Sequence, residues 1–426
     1  MDTDELVNKL EALSTPRALI GVAVLAALPR LAYLLVAHPP FENYNVALST
    51  ALMRGGSLSI EGVKTAYYEP LYPWFLAFAR LLMRDRMFLV QAFQAIVSGL
   101  GAVGLCLLAE ALTGRRAVAL LSGVLYAAYP LLVWHSVTPD ESALSSILMI
   151  AVAFAVVRAH TVTRGCLAGL CLGLAILMRS TVLPLLLLAP AVLLIDGRRA
   201  AALACLLSAI AIVSPMAIRN YRLAGTPTYT RSGLNLFIGN SRYAAALLPT
   251  YTPDNLQEYA LSMAEHEHPE VPPGPSGEAE TDRALTRLAL KEMRDRPLQT
   301  LWLKTRYVAY FFWPRLVPTH VFVDGTRLEF SSTGDVRVLN SPPRPRLEAA
   351  AYTLSYCPVF IAAIAGVWRR RTEIRRDAIL WLIMATFVIV HAVYFPSTRY
   401  TTPTAFVLLF YAAVGLIPAK RSRAGW

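Results

Sequence analysis

The fold of this chain is decided by the stretch MFLVQAFQAIVSGLGAVGLCLLAEALTGRRAVALLSGVLYAAYPLLVW, residues 87–134. It contains two apolar runs, 87–112 and 117–134, which are separated by Arg115 and Arg116. A helix needs about 20 apolar residues to cross a hydrocarbon core of roughly 30 Å. The stretch therefore predicts two transmembrane helices joined by a short basic loop.

Similar apolar runs recur along the whole chain. Of its 426 residues, 56% are hydrophobic and only 16% are charged, and the mean hydropathy is +0.47. A soluble domain carries roughly 25% charged residues, so this chain lacks the polar surface that would keep it in solution. We predict an all-α polytopic membrane protein with about ten transmembrane helices. The predicted spans are 18–37, 87–112, 117–134, 143–159, 166–178, 182–195, 200–217, 347–367, 378–395 and 402–417.

The net charge is +12, and the basic residues are distributed unevenly between the two sides of these spans. The short loops at one set of helix ends hold only Arg179 and Arg399, whereas the loops at the other ends are rich in arginine. Because cytoplasmic loops carry an excess of Lys and Arg, this asymmetry predicts an inner-membrane protein with both termini in the cytoplasm. The orientation of the chain in the membrane thus accounts for its net positive charge, and no nucleic-acid partner is expected. The arginines of the basic loops are Arg115, Arg116, Arg158, Arg164, Arg198, Arg199, Arg369, Arg370, Arg371, Arg375 and Arg376.

Two longer segments on the predicted outer side divide the chain into three regions. Residues 1–217 form an N-terminal transmembrane module that contains loop 1, residues 38–86. Loop 2, residues 218–346, is a small non-cytoplasmic region, and 347–426 form the C-terminal transmembrane helices. Within loop 2, His320–Phe330 resembles a β-hairpin around an Asp324-Gly325 turn.

The loops also contain two ambiguous apolar stretches, 70–83 and 298–314. The first contains Arg80, and the second contains Lys304 and Arg306. Counting either stretch as a span would move arginine-rich loops to the outer side, against the charge asymmetry. Both are therefore predicted to be interfacial or re-entrant helices on the outer face.

The cysteines predict neither a disulfide framework nor a zinc site. No two of them form a CxxC pair, and all lie in or beside predicted spans, where they are expected to be small packing residues. They are Cys106, Cys166, Cys171, Cys205 and Cys357.

The ionisable residues outside the basic loops gather near the outer surface. Charged groups at the membrane are costly and are therefore functional candidates. One leaflet collects both proton acceptors and anion binders, which suits a reaction between a lipid phosphate and a hydroxyl or amine. The acids are Glu42, Glu69, Asp140 and Glu141, and the bases are Arg30, Arg179, Arg219, Arg222, Arg231 and Arg399.

Simpler roles stay open for these residues. Glu42 and Asp140 lie near helix starts, where a carboxylate favours the helix dipole or caps the first turn. Glu69 could be a solvated loop acid, and Arg30 could extend its guanidinium to the interface. Arg219 and Arg222 could anchor their helix to lipid headgroups.

The first outer loop resembles that of the GT-C membrane glycosyltransferases, through ENYNVALSTALMRGGSLS (42–59) and YYEPLYPWFLA (67–77). The resemblance is strongest to the bacterial branch related to protein O-mannosyltransferases and to lipid A aminoarabinose transferase. It covers nearly the whole chain, because later segments follow in the same order. They are PDESALSSILM (139–149), AGLCLGLAILMRST (168–181), SPMAIRNYRLAGTPTYTRSGLNLFIGNS (214–241), RPLQTLWLKTRYVAYFFWP (296–314) and RYTTPTAFVLL (399–409).

The resemblance implies a GT-C-like fold and an inverting glycosyltransferase that acts on the outer face. The donor is expected to be a polyprenyl-phosphate-linked hexose or pentose, and the acceptor a glycan, lipid or protein. In such families an acid of the first outer loop is the catalytic base, and that role maps onto Glu42. Many relatives have an Asp there with a second acid beside it, whereas this chain has Asn43. One carboxylate beside an amide is a poor divalent-cation site, so no metal or other cofactor is expected.

The remaining site residues are expected to contact the two substrates. The arginines suit the donor phosphate, because the guanidinium fork matches phosphate oxygens. The expected phosphate contacts are Arg219, Arg222, Arg399, Arg179, Arg231 and Arg30. The expected sugar or acceptor contacts are Asn43, Tyr44, Glu69, Tyr72, Asp140 and Glu141.

Two other functions remain open from the sequence. Another lipid-linked glycan enzyme, either a ligase or a polymerase, would share the membrane helices and the outer charges. A lipid or sugar flippase would share them too, but transporters usually contain repeats and charged sites near the bilayer midplane. Apart from Arg30, the charges here avoid the middle of the predicted spans.

Overall fold

The computed structural model describes residues 15–272, 274–317, 327–331, 333–340 and 346–418. Within these ranges the chain is mostly helical, which confirms the predicted helical class. The helices up to loop 2 are α1 (Thr15–Ala37), α2 (Tyr44–Gly55), α3 (Leu71–Leu82), α4 (Met87–Thr113), α5 (Arg116–Ala128), α6 (Pro130–Val137), α7 (Ser142–Arg158), α8 (Val162–Met178), α9 (Leu185–Ile195) and α10 (Arg199–Ala224). The later helices are α11 (Ser232–Asn240), α12 (Ala244–Leu247), α13 (Gln257–Glu267), α14 (Glu278–Asp295), α15 (Pro297–Phe311), α16 (Arg346–Arg369), α17 (Ala378–Val393), α18 (Thr398–Thr401) and α19 (Ala405–Leu416).

Several of these helices have the length and apolar character of membrane spans. Four of the described helices are each long and apolar enough to cross a membrane, namely α1, α4, α10 and α16. Helices α5 and α6 meet at a bend of 53° and would form a fifth span together. The bend falls at Pro130, which opens α6 and cannot continue the hydrogen bonding of α5. Helices α3, α7, α8 and α17 are apolar but shorter, as is the stretch Ser180–Ile195, so the count of about ten spans stays a prediction.

Small residues bring α8 and α10 into close contact. Gly165 and Gly169 lie one turn apart on α8, and an added Cβ on either would collide with backbone of α10, at Ala201 and Cys205 respectively. This spacing is the small-xxx-small pattern by which membrane helices approach closely. The pair packs the first half of α8 against the first half of α10.

Helix α2 buries only part of its predicted apolar face. The sequence predicts one apolar face formed by Tyr44, Ala47, Leu48, Ala51 and Leu52, with Glu42, Asn45 and Ser49 on another face. In the structure Asn45, Leu48 and Ser49 are buried, while Ala47 is exposed. The polar residues are buried because they have partners there. Arg80 of α3 donates to Ser49 Oγ at 2.7 Å, and Asn45 Nδ2 donates to the carbonyl of Pro139 at 3.2 Å.

Two small antiparallel hairpins complete the described fold. In loop 1, β1 (Ser59–Ile60) pairs with β2 (Val63–Lys64). In loop 2, β3 (Arg327–Phe330) pairs with β4 (Val336–Leu339), with Arg327 opposite Leu339. The strand at the end of the predicted hairpin therefore exists, but its partner follows it in the chain. The predicted first strand, His320–Val323, and the Asp324-Gly325 turn lie outside the described residues.

Candidate active site

A cavity of about 380 Å³ lies where loop 1, loop 2 and the ends of α8 and α17 meet. This volume falls in the range of ligand pockets, roughly 300–1,000 Å³. Loop 1 contributes Tyr44, Tyr68 and Glu69 to its wall, and the segment after α17 contributes Arg399 and Tyr400. The site thus joins residues that lie more than 300 positions apart in the sequence.

Three arginines converge on this cavity: Arg179, Arg231 and Arg399. Arg179 pairs with Glu141 at 3.2 Å. The other two guanidinium groups lie over aromatic rings, Arg231 at 5.3 Å from the ring centre of Tyr67 and Arg399 at 5.0 Å from that of Tyr400. Neither Arg231 nor Arg399 forms an ion pair with a carboxylate among the described residues. The cavity therefore holds more positive charge than its own acids neutralise.

Each of these arginines also retains unused hydrogen-bonding capacity. Nη1 of Arg179, Nε of Arg231 and Nε of Arg399 are buried and have no hydrogen-bond partner in the described part of the chain. Buried polar groups favour a hydrogen-bond partner, so three such donors around one cavity suit a ligand that carries acceptor atoms. A phosphate supplies several acceptor oxygens and a negative charge, and both match this arrangement.

The tyrosines of the wall are hydrogen-bond donors rather than bases. Tyr44 and Tyr68 stack with their ring centres 4.5 Å apart. Burial raises the pKa of Tyr44 to about 12, with a further contribution from the charge of Glu141. Burial, together with the neighbouring Tyr67, also raises the pKa of Tyr68 to about 12. Both hydroxyls therefore keep their protons at neutral pH and can orient a sugar or a phosphate.

Among the described residues, Glu69 and Glu141 are the two acids of the cavity wall. Glu141 is neutralised by Arg179. Glu69 has no ion pair with a described residue, and its Oε1 accepts from the backbone N–H of Ser180 at 3.1 Å and from Ser180 Oγ at 2.7 Å. These bonds fix the carboxylate without neutralising it, which is the state that a general base requires.

Loop 2 holds Glu69 in place through the residues that precede it. Glu278 of α14 accepts from the Thr65 hydroxyl at 2.6 Å and from the backbone N–H of Ala66. The backbone N–H of Thr230 donates to the carbonyl of Ala66 at 3.2 Å. Since Pro70 then precedes α3, both ends of the Tyr67–Glu69 segment are anchored.

Glu42 lies outside the wall of this cavity. It is exposed, and its side chain has no hydrogen bond or ion pair with a described residue. Helix α2 begins two residues later, and its cap is Asn43, which accepts from the backbone N–H groups of Asn45 and Val46. The side chain of Asn43 also donates to the carbonyl of Pro139 at 2.6 Å. Asn43 thus fixes the start of the helix, and the role of Glu42 stays a prediction.

Asp140 has a network of its own beside the cavity. Its Oδ2 lies 2.6 Å from His135 Nδ1 and accepts from the Thr138 hydroxyl at 2.9 Å, while Oδ1 accepts from the Ser142 N–H at the start of α7. Burial raises the pKa of Asp140, but the charge and hydrogen bond of His135 outweigh it, and the pKa is lowered. Asp140 is therefore an ionised anchor of the turn between α6 and α7. Tyr72, by contrast, lines the cavity, and its hydroxyl donates to Gln94 at 2.8 Å.

The other three predicted phosphate ligands do not line the cavity. Arg30 is fully buried between α1 and α5, where Nη1 donates to the carbonyls of Ala26 at 2.7 Å and Ala127 at 3.0 Å. Arg219 donates to the carbonyls of Leu58 at 3.2 Å and Thr65 at 3.0 Å, so it braces the hairpin of loop 1. Arg222 is exposed.

Several cavity residues are absent from the sequence-based predictions. Ser180 follows Arg179 directly and holds Glu69, and Tyr68 belongs to the quoted YYEP motif. His391 and Tyr400 stack at 4.3 Å with an angle of 7° between their rings. The sequence does contain a signal for His391, since an ionisable residue inside an apolar run is a functional candidate. Within the described ranges, no group of three or more His, Cys, Asp or Glu residues could hold a metal ion.

Residues 64–218 match the family described as dolichyl-phosphate-mannose-protein mannosyltransferase. Over these residues the match confirms the predicted resemblance to the GT-C membrane glycosyltransferases. It includes Glu69, Glu141 and Arg179 of the cavity, whereas Glu42 and Arg399 lie outside it.

Two crystal structures of ArnT from Cupriavidus metallidurans are similar to this chain. The apo structure is 15% identical and has a TM-score of 0.36, and the match covers 88% of this chain and 73% of ArnT. The structure bound to undecaprenyl phosphate is also 15% identical and has a TM-score of 0.41, with 94% and 78% covered. No curated protein matches the sequence at a significant level. No residue role in this chain follows from these similarities.

Proposed function

We propose that the protein is an inverting glycosyltransferase that transfers a sugar from a polyprenyl-phosphate-linked donor to an acceptor on the outer face of the membrane. The observation that carries this proposal is the cavity lined by Arg179, Arg231 and Arg399, each with an unused hydrogen-bond donor, and by the carboxyl group of Glu69. The match of residues 64–218 to a family named for a polyprenyl-phosphate sugar donor supports the same class of reaction. That name also makes mannose the first sugar to test.

The arginines would bind and stabilise the leaving phosphate. As the bond between the anomeric carbon and the phosphate oxygen breaks, negative charge grows on the phosphate, and preorganised cationic donors stabilise that charge. A phosphate leaves without protonation, so the site needs no general acid. Arg231 and Arg399 are the strongest candidates, because neither has a carboxylate partner in the described chain. Arg219 would act indirectly, by bracing loop 1.

Glu69 would be the general base. The acceptor hydroxyl attacks the anomeric carbon from the face opposite the phosphate, and its proton passes to the carboxylate. The support for Glu69 is its position in the cavity wall and its hydrogen bonds from Ser180, which orient the carboxylate without neutralising it. Glu42, which the family resemblance favours, is the alternative base. The turnover of the Glu42→Gln and Glu69→Gln variants distinguishes the two assignments.

The expected orientation can be tested by labelling two exposed positions, one before α16 in the chain and one after it. Ser276 lies in loop 2, and Thr372 lies in the basic loop between α16 and α17. In intact cells a membrane-impermeant thiol reagent should label a Ser276→Cys variant but should reach a Thr372→Cys variant only after lysis. The opposite labelling pattern would contradict both the orientation and the outer-face reaction.

A further inference from the structure

A second cavity, of about 360 Å³, lies beside the one described above. Tyr68 belongs to the walls of both. The residues after α10 alternate between the two: Tyr229 and Arg231 line the first cavity, and Thr230 lines the second. Tyr68 and the segment 229–231 thus lie between the second cavity and the proposed donor site.

The two cavities have opposite charge. The first contains three arginines, whereas no Lys or Arg belongs to the described wall of the second. Four carboxylates line the second cavity instead, those of Glu61, Glu265, Glu278 and Asp282. Glu278 and Asp282 are occupied by backbone N–H groups, and Glu61 and Glu265 are exposed at its edge. An anionic ligand would be repelled here, whereas hydroxyl donors would find acceptors.

A buried hydroxyl without a partner marks the wall between the cavities. Thr230 is only 2% exposed, and its Oγ1 has no hydrogen-bond partner among the described residues. Such groups are rare in folded proteins unless a ligand or water completes them. The same cavity offers the ring of Tyr67 and the apolar side chains of Leu261 and Leu285. A sugar ring has apolar C–H faces and hydroxyl groups around its edge. The aromatic and apolar side chains suit the faces, and the carboxylates can accept hydrogen bonds from the hydroxyls.

We infer that this second cavity binds the acceptor, and that the acceptor is an uncharged saccharide. The inference rests on the proposed function, because it assigns the second substrate of that reaction. The saccharide hydroxyl reaches the donor past Tyr68, and its oxygen bonds to the anomeric carbon. The bond from that carbon to the phosphate oxygen breaks, the bonding pair leaves with the polyprenyl phosphate, and the hydroxyl proton passes to the base.

The charge of the cavity can be tested without knowing the acceptor. A Leu261→Cys variant places a thiol in the wall, and a Ser262→Cys variant places one on the exposed side of the same helix, α13. We expect a cationic thiosulfonate reagent to outpace its anionic counterpart about tenfold more at position 261 than at position 262. Glu265→Gln should reduce this preference, and Glu267→Gln, on the same helix but outside the wall, should leave it unchanged. Equal preferences at positions 261 and 262 would overturn the inference.

The acceptor role is tested in membranes that contain the full chain and its natural acceptor, supplied with donor labelled in the sugar. Label should enter a neutral glycan, and Leu261→Trp should lower this transfer at least about tenfold by filling the cavity. Glu258→Trp, exposed on α13 and outside the wall, is the matched control. Label in protein or in a phosphorylated lipid, or wild-type transfer by Leu261→Trp, would overturn the inference. Failure of the wild-type protein to release polyprenyl phosphate would instead refute the proposed function. The thiol-labelling experiment would still test the charge of the second cavity.

Discussion

Replacing Glu69 by glutamine should lower turnover by about 10²- to 10⁴-fold, the usual contribution of a general base. Glutamine keeps the side-chain shape and an oxygen that accepts from Ser180, so loop 1 should remain in place. Only the capacity to take a proton is lost. Steady-state kinetics should therefore show a collapse of kcat with little change in KM for the donor. Glu69→Asp should retain part of the activity, because its carboxylate is shorter but still basic.

Two further variants separate this assignment from its rivals. Glu42→Gln should stay close to wild type, because Glu42 is exposed outside the cavity wall. Asp140→Asn should mainly lower thermal stability, since Asp140 anchors His135, Thr138 and the start of α7. If Glu42→Gln is inactive while Glu69→Gln keeps more than about a tenth of turnover, the base is the residue that the family resemblance favours.

Replacing Arg231 or Arg399 by glutamine should weaken donor use by about 10- to 150-fold. This range corresponds to the loss of one charge-assisted hydrogen bond, about 1.5–3 kcal/mol. Both guanidinium groups lie in the cavity without a carboxylate partner in the described chain, so their charge is available to the donor phosphate. Donor titrations at saturating acceptor should show the effect in kcat/KM for the donor.

The controls for this prediction come from the arginines outside the cavity. Arg222→Gln should behave as wild type, since Arg222 is exposed and does not line the cavity. Lysine at position 399 should restore part of the donor binding, because it supplies the charge but not the planar fork. Wild-type donor kinetics in the glutamine variants of both Arg231 and Arg399, with a loss in Arg222→Gln, would move the phosphate site to the end of α10.

The helical membrane class could be predicted because it follows from composition alone. Apolar runs such as 87–112 have one energetically acceptable structure in a bilayer, a helix whose backbone groups are all paired. The helix boundaries were predicted less accurately from the sequence. The run 117–134 is broken at Pro130, and residues 166–178 continue a helix that begins at Val162. The amphipathic face of α2 was predicted only in part, because tertiary partners, Arg80 and Pro139, make burial of its polar residues favourable.

The candidate site could be predicted as a set of residue types but not as a geometry. Glu69, Glu141, Arg179, Arg231 and Arg399 are among the sequence-based candidates, and the fold brings these five into one cavity. Charge and position alone do not separate them from Arg30 and Arg219. Those two arginines donate to backbone carbonyls outside the cavity, and such bonds depend on contacts between distant segments. For the same reason the sequence contains no signal that Ser180 would hold Glu69.

The proposed reaction breaks the bond between a sugar and a polyprenyl phosphate in this cavity. The most direct test supplies the full-length protein, in membranes that contain its acceptor, with dolichyl-phosphate mannose labelled in both the lipid and the sugar. We predict acceptor-dependent release of free dolichyl phosphate, equimolar with sugar transferred, and a product whose anomeric configuration is inverted relative to the donor. Movement of intact donor across the membrane without release of dolichyl phosphate would contradict a glycosyltransferase reaction and identify a flippase instead.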